Sequence, residues 1–334
     1  MVQKDIFRWG ILGPGKIAHR FAEGLLSLPN AHIYAVGSRN YERAEVFGRQ
    51  YGAVKYYGSY EALIADEDVD IIYIATPHSE HYKHVKLCLE NGKHVLCEKA
   101  FTINSMQLKK LVKLAGEKQL FMMEALWTRF LPTIKRTLEI INSGAIGELK
   151  MLHTDFGFQA PFDKNSRVFN PVLGGGALLD IGIYPLFLSL LLLGKPAEIK
   201  AIAHFGDTGV DESLAMQLTY DDGAMAILSS SFTVKTMTKA DIYGTKGRIT
   251  INPRWFSQTS IVLEHYGQEP ATINFNFRSN GYDYEAEEVM NCIGSGLTES
   301  PVLPLSFSLD LMQMMDTVRK QIGLEYDADK EKMS

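Results

Sequence analysis

Asp180 and Tyr184 stand four residues apart near the start of GGGALLDIGIYPLFLSLLLLG, a stretch that is almost wholly apolar from Ile183 onward. A phenol can exchange the hydroxyl proton that must be lost when a CH–OH carbon is oxidised. It titrates near 10, too high for an efficient base at neutral pH. A neighbouring ammonium lowers that value, and a buried carboxylate can hold the ammonium in place. Lys99, in Cys97-Glu98-Lys99-Ala100, can supply the ammonium, so Lys99, Tyr184 and Asp180 form a candidate catalytic set. If the segment is helical by Asp180, carboxylate and phenol share a face at i, i+4. Inside a helix Pro185 would free the Ile181 carbonyl and kink the axis; in a first turn it would be harmless. The plainer alternatives are a buried, hydrogen-bonded tyrosine and, for Glu98-Lys99, a surface ion pair.

A second set of residues suits phosphate. Gly13-Pro14-Gly15-Lys16-Ile17-Ala18 follows an apolar strand and opens an amphipathic segment. Gly13 allows the tight turn, Gly15 lets the backbone approach a pyrophosphate, and Ala18 permits close packing of helix on sheet. The helix N-terminus offers unpaired N–H groups and partial positive charge. The next strand ends in Ser38-Arg39-Asn40, with Arg43 one turn later, where an NAD enzyme usually places Asp or Glu on the ribose diol. A hydroxyl and guanidinium groups bind a 2′-phosphate that a carboxylate would repel, so NADP is expected over NAD. Arg39 could instead stack on adenine or remain a solvated charge. Thr76-Pro77-His78 through His81 follows a further strand, and these residues with Glu98 and Lys99 should lie at strand ends beside the cofactor. His78, His81 and His84 are spaced i, i+3, i+6; two helical metal ligands usually stand at i, i+4, so no metal is expected.

The elements that must position these groups change character along the chain. Through the first 125 residues, short apolar strands at Phe7–Leu12, His32–Val36, Val69–Ala75, His94–Cys97 and Leu120–Met123 alternate with helical segments. This alternation predicts an α/β fold, a doubly wound parallel sheet covered on both faces. Later, Asp221-Asp222-Gly223 and Gly244-Thr245-Lys246-Gly247 separate pairs of strands and predict hairpins of an open, mainly antiparallel sheet in an α+β domain. The expected division is a Rossmann domain over 1–125, a substrate and dimerisation domain over 126–326, and a loose polar tail over 327–334. The uncharged run Ile181–Gly194 is shorter than the roughly 20 residues of a membrane span, which favours a buried core helix.

Composition narrows the partners. Net charge is −5 with both signs dispersed, so no basic patch points to nucleic acid. Cys88, Cys97 and Cys292 form no CxxC pair, which suits buried thiols in a reducing cytoplasm. The opening residues MVQKDIFRWG run into a strand without an apolar stretch of signal length.

Taken together, GxGxxA, the ATPxxxH loop, GKHVLCEK and GGGxLxDxGxY resemble the glucose–fructose oxidoreductase/inositol dehydrogenase/rhizopine-catabolism family. Within it, WGILGPGKIA, YGSYEAL, MEALWTRFLPT, GGGALLDIGIY and YGTKG are most similar to the dimeric dihydrodiol dehydrogenase branch. The resemblance implies a Rossmann domain, NADP, a second domain whose open sheet often mediates homodimers, and hydride transfer to or from a secondary alcohol of a cyclic diol or sugar. It assigns the motif lysine to Lys99, the base to Tyr184 and the motif aspartate to Asp180. It also implies a substrate pocket with Trp127, Phe156 and Phe277. The family usually reads EKP where this chain has Glu98-Lys99-Ala100, which removes the constraint that proline places on the lysine. A catalytically silent NADP-sensing protein on the same fold is the alternative.

Overall fold

The computed structural model describes residues 6–330. It divides into two compact units: the chain up to Phe130 with Phe277–Leu309, and Leu131–Asn276 with the chain from Asp310.

The first unit opens with β1 (Phe7–Leu12), α1 (Lys16–Leu25), β2 (Ala31–Gly37), α2 (Tyr41–Tyr51), β3 (Lys55–Tyr57), α3 (Tyr60–Ile64), β4 (Ile71–Ile74) and α4 (His78–Glu90). It continues through β5 (His94–Glu98), α5 (Ser105–Lys118) and β6 (Met122–Ala125). The strands form one parallel sheet in the order β3-β2-β1-β4-β5-β6, the doubly wound arrangement. Every residue of β4 is buried, which is why its sequence is a continuous apolar run. Asn40 and Asn104 fix the starts of α2 and α5 by accepting the N–H groups of Arg43 (2.8 Å) and Gln107 (2.9 Å). The edge strand β3 is absent from the sequence expectation because Lys-Tyr-Tyr, half-buried throughout, carries no apolar run.

The second unit contains α6 (Pro132–Asn142), β7 (Leu149–Gly157), α7 (Ile183–Leu193), β8 (Glu198–Phe205), β9 (Asp211–Thr219) and β10 (Met225–Ser231). It adds β11 (Ala240–Gly244), β12 (Gly247–Ile251), β13 (Ile261–His265) and β14 (Ala271–Ile273). The sheet runs β14-β13-β12-β11-β7-β10-β9-β8, antiparallel except where β7 meets β10. Both expected hairpins are present, β9–β10 and β11–β12. In β9, buried Leu214, Met216 and Leu218 alternate with outward residues, and α7 covers this kind of apolar face by packing on β7 and β10. The helical run Pro171–Leu193 is long and apolar enough to cross a membrane by length and composition, but 83% of its apolar window is buried within the fold.

Two further helices, α8 (Tyr282–Gly294) and α9 (Leu305–Ile322), complete the chain. Here the structure departs from a continuous 126–326 domain, since 277–309 belongs to the first unit. The physical reason is a set of polar ties: Asn280 Nδ2 donates to the Arg20 carbonyl (2.7 Å), Met122 N–H to the Thr298 carbonyl (3.1 Å), and Ser308 Oγ to Glu124 (2.7 Å). The start of the tail is also held rather than loose. Asp329 accepts from the Arg319 guanidinium (2.5 Å) and the Tyr326 N–H (2.9 Å). Residues 331–334 of the expected tail lie outside the described residues.

Candidate active site

The phosphate loop has the geometry its residue types demand. Gly13 adopts φ +92°, in the left-handed region. At Gly15, the N-cap of α1, an added Cβ would meet nothing within 4 Å, and no side chain caps the helix. Open space faces a helix start whose N–H groups have no side-chain acceptor, which fits a pyrophosphate. Lys16 is exposed and Ile17 half-buried at the first turn. Ser38 is buried, its Oγ accepting the Asn40 N–H (3.2 Å), while Arg39 and Arg43 are exposed. Burial raises the pKa of the Tyr60 phenol, and the Arg39 and Arg43 charges oppose that rise, so both guanidinium groups lie near Tyr60. The group of residues fits a nicotinamide dinucleotide.

The loops after β4 and β5 are stitched together by His81. Its ring is fully buried, with Nδ1 2.8 Å from the Ala100 carbonyl and Nε2 2.8 Å from the Thr76 carbonyl. Burial lowers its pKa to about 4, so at neutral pH the ring carries one N–H and donates to one of the two. Pro77, extended, caps α4. His78 lies edge-on to His81 at 5.7 Å, and His84 is bonded instead to Thr76 Oγ1 (3.0 Å). The histidines are thus engaged separately, and no group of three or more His, Cys, Asp or Glu able to hold a metal occurs among the described residues.

Beyond β5, Lys99 is half-buried and Glu98 buried, with Glu98 Oε1 accepting from Tyr73 Oη at 2.5 Å. Glu98 therefore faces the core at this contact. The Lys99–Ala100 peptide bond is cis although alanine replaces the family proline.

In the second unit the apolar stretch begins with the turn Gly174–Gly176, then a π-helical turn over Leu178–Gly182, then α7. Such π turns frequently mark functional sites. Asp180 falls in the π turn and Tyr184 in the first turn of α7, so the plain α-helical i, i+4 expectation is replaced by a wider turn. Pro185 also falls in that first α-helical turn. Asp211, fully buried, accepts the Leu178 N–H (2.6 Å) and so caps the run. Asp180 is 4% exposed and accepts from Arg167 Nη1 at 2.9 Å. Arg167 was not legible in the sequence, because it stands thirteen positions upstream in a loop with no periodicity. Tyr184, 6% exposed, is ringed by Phe156 (5.4 Å), Phe256 (5.5 Å) and Trp255 (6.5 Å). Phe156 stacks on Phe256 at 4.1 Å and 12°. Trp255 and Phe256, in the loop after β12, were also not foreseen.

Of the expected pocket aromatics, Phe156 thus adjoins Tyr184. Trp127 belongs to the first unit and stacks on Tyr282 at 4.5 Å and 10°; Phe277, half-buried, opens the segment that rejoins that unit. Lys99 belongs to the first unit, Asp180 and Tyr184 to the second.

Residues 7–126 match the model of an oxidoreductase family with an NAD-binding Rossmann fold, and residues 134–250 match the GFO/IDH/MocA C-terminal domain. The chain is 37% identical over 331 residues to trans-1,2-dihydrobenzene-1,2-diol dehydrogenase of Xenopus tropicalis, covering 96% of this chain and 99% of that protein. It is 36% identical over 337 residues to the Homo sapiens enzyme of the same name, covering 97% and 99%. The chain belongs to the GFO/IDH/MocA oxidoreductase family. As a member it is an oxidoreductase with an NAD(P)-binding fold and a small-molecule substrate. Its structure is similar to a 3-ketoreductase from Actinomadura kijaniata in complex with NADP and TDP-benzene, with TM-score 0.86 and 27% identity over 95% of this chain and 98% of that one. It is also similar to an aldose–aldose oxidoreductase from Caulobacter crescentus complexed with glycerol, with TM-score 0.87 and 25% identity over 95% and 97%.

Proposed function

We propose that this oxidoreductase uses NADP to interconvert a secondary alcohol and a ketone on a cyclic diol or sugar, with Tyr184 exchanging the hydroxyl proton. The supporting observation is a phenol kept 94% from solvent inside an aromatic box at the start of α7, one turn from a buried carboxylate. When bound, NADP supplies or takes up the hydride at its nicotinamide. The chain's own residues do the rest. In oxidation the substrate hydroxyl proton passes to the ionised Tyr184 oxygen; in reduction the phenol returns it. An ammonium beside such a phenol lowers its pKa, the role that the family resemblance gives Lys99. Asp180, paired with Arg167, fixes the turn from which Tyr184 projects. Phe156 and Phe256 exclude water and offer flat apolar surface to the C–H face of a ring. Arg39 and Arg43 take the 2′-phosphate, aided by Ser38.

Turnover of NADP⁺ and NADPH against trans-dihydrodiols, aldoses and their keto forms tests the reading. Tyr184→Phe should lower kcat by about 10²–10⁴-fold while NADP affinity, read by fluorescence, holds. Comparable turnover in that variant removes the phenol from its role. The proposed enzyme is a cytoplasmic homodimer, an assembly that light scattering of the purified chain checks directly.

A further inference from the structure

Glu124, the third residue of β6, is 2% exposed and is a carboxylate that the reaction outlined above does not use. Its Oε1 accepts the N–H of Phe101 at 3.0 Å, and its Oε2 accepts the hydroxyl of Ser308 at 2.7 Å. Phe101 is two residues beyond Lys99, and the intervening Ala100 carbonyl is the one that faces His81. Glu124 pairs in register with Cys97 of β5, and partners in a parallel ladder direct their side chains to the same face. Lys99 follows the last residue of β5 directly, at the bend where the strand ends. The electrostatics agree. Burial pushes the Glu124 carboxyl up to about 7 and Glu98 adds to the rise, while Ser308, Phe101 and the Lys99 charge act in the opposite sense. The titratable groups that bear on Glu124 are therefore Glu98 and Cys97 of β5 and Lys99; α9 contributes the neutral Ser308.

We propose that Glu124, held by Ser308, is a positioning residue for Lys99: it fixes the backbone just beyond the lysine and places a negative charge in the field of the ammonium. The inference rests on the assignment of Lys99 made above. A lysine on a flexible loop samples many positions, whereas one anchored by a buried carboxylate and a histidine-held carbonyl stays in place within the first unit. In the alkaline range where a lysine titrates, Glu124 is ionised and favours the charged lysine.

The test is a titration of Lys99 in the cofactor-free protein, by NMR of ¹³C-methylated lysines with the signal assigned through Lys99→Arg. Glu124→Gln retains an acceptor for Phe101 and a donor for Ser308 but loses the charge. Its Lys99 signal should titrate at lower pH than in the wild type, and the alkaline limb of the turnover profile should move down with it. Glu124→Ala also loses the anchor and should cost a further ~10-fold in kcat with the KM for NADP little changed. Should Glu124→Ala fail to fold, Ser308→Ala loosens the same contact and should lower kcat in the same direction. A Lys99 titration unchanged in Glu124→Gln, with the fold intact by circular dichroism, overturns the inference. Turnover that survives Lys99→Met instead overturns the catalytic reading, and the titration still decides the role of Glu124.

Discussion

Two glycine-rich turns open helices in this protein, and they are used in opposite ways. At Gly13–Gly15 the turn leads into α1, no side chain caps the helix, and an added Cβ at Gly15 would enter open space. At Gly174–Gly176 the turn also precedes a helical run, and Gly176 again has positive φ, +124°. There, however, Asp211 lies so close that a Cβ on Gly176 would collide with its carboxylate. Asp211 takes the Leu178 N–H (2.6 Å), and Tyr326 Oη donates to the Gly175 carbonyl (2.6 Å). A helix N-terminus attracts an anion. The first turn leaves that place without a side-chain acceptor, as the proposed phosphate site requires; the second fills it with the Asp211 carboxyl group, and thereby holds the segment carrying Asp180 and Tyr184.

The comparison can be broken at either turn. The largest effect is expected from Asp211→Ala, which strands a buried N–H and opens a polar void; urea unfolding should show a loss of about 2–4 kcal/mol. A loss below ~0.5 kcal/mol would mean that the second turn does not need its internal acceptor. At the first turn, Gly15→Asp puts a carboxylate where the phosphate is expected. It should weaken NADP binding by about 10²-fold or more, with thermal stability nearly unchanged. A stability loss with unaltered binding would reverse the assignment. Asp211 also sharpens the contrast through pH, because burial raises its pKa to about 7, well above the unfolded value. Its contribution to stability is full below about pH 4 and is lost as pH rises toward about 7, since the unfolded chain ionises first. Asp211→Asn should therefore gain on the wild type by about 1–3 kcal/mol between pH 4 and 8. A parallel pair of stability curves would contradict the raised value. The smallest effect is expected from Tyr326→Phe, which leaves the Gly175 carbonyl without that hydroxyl and should cost about 1 kcal/mol.

The two turns also differ in how far they can be read without coordinates. The first is legible because every partner it needs is local: strand, glycine spacing, helix start and the following Ser38-Arg39 lie within one βαβ unit. Asp180 and Tyr184 stand out for a similar reason, as polar groups in an apolar run. Their immediate neighbours do not. Arg167 comes from an aperiodic loop, Phe256 and Trp255 from the loop after β12, and Asp211 from a strand start. The second-domain boundary was not legible on the same ground, because Asn280, Thr298 and Ser308 return to the first unit through hydrogen bonds that leave no pattern in the chain. The Ala100 departure illustrates a different limit: alanine removes proline's constraint on the lysine, whereas the groups beyond the lysine are held by His81 and Glu124, which the local sequence does not reveal.

The order of residues alone determined the doubly wound sheet, the hairpins of the second sheet, the phosphate loop and the kind of groups available for proton exchange. These rest on hydrophobic period, turn chemistry and short spacings, which act between near neighbours in sequence. Only the tertiary structure decided that one glycine turn is filled and the other open, that Asp180 pairs with Arg167, and that Glu124 takes the Phe101 N–H and the Ser308 hydroxyl. Those outcomes depend on which distant side chains meet in the fold, and where the partners are buried desolvation makes a missing pairing costly.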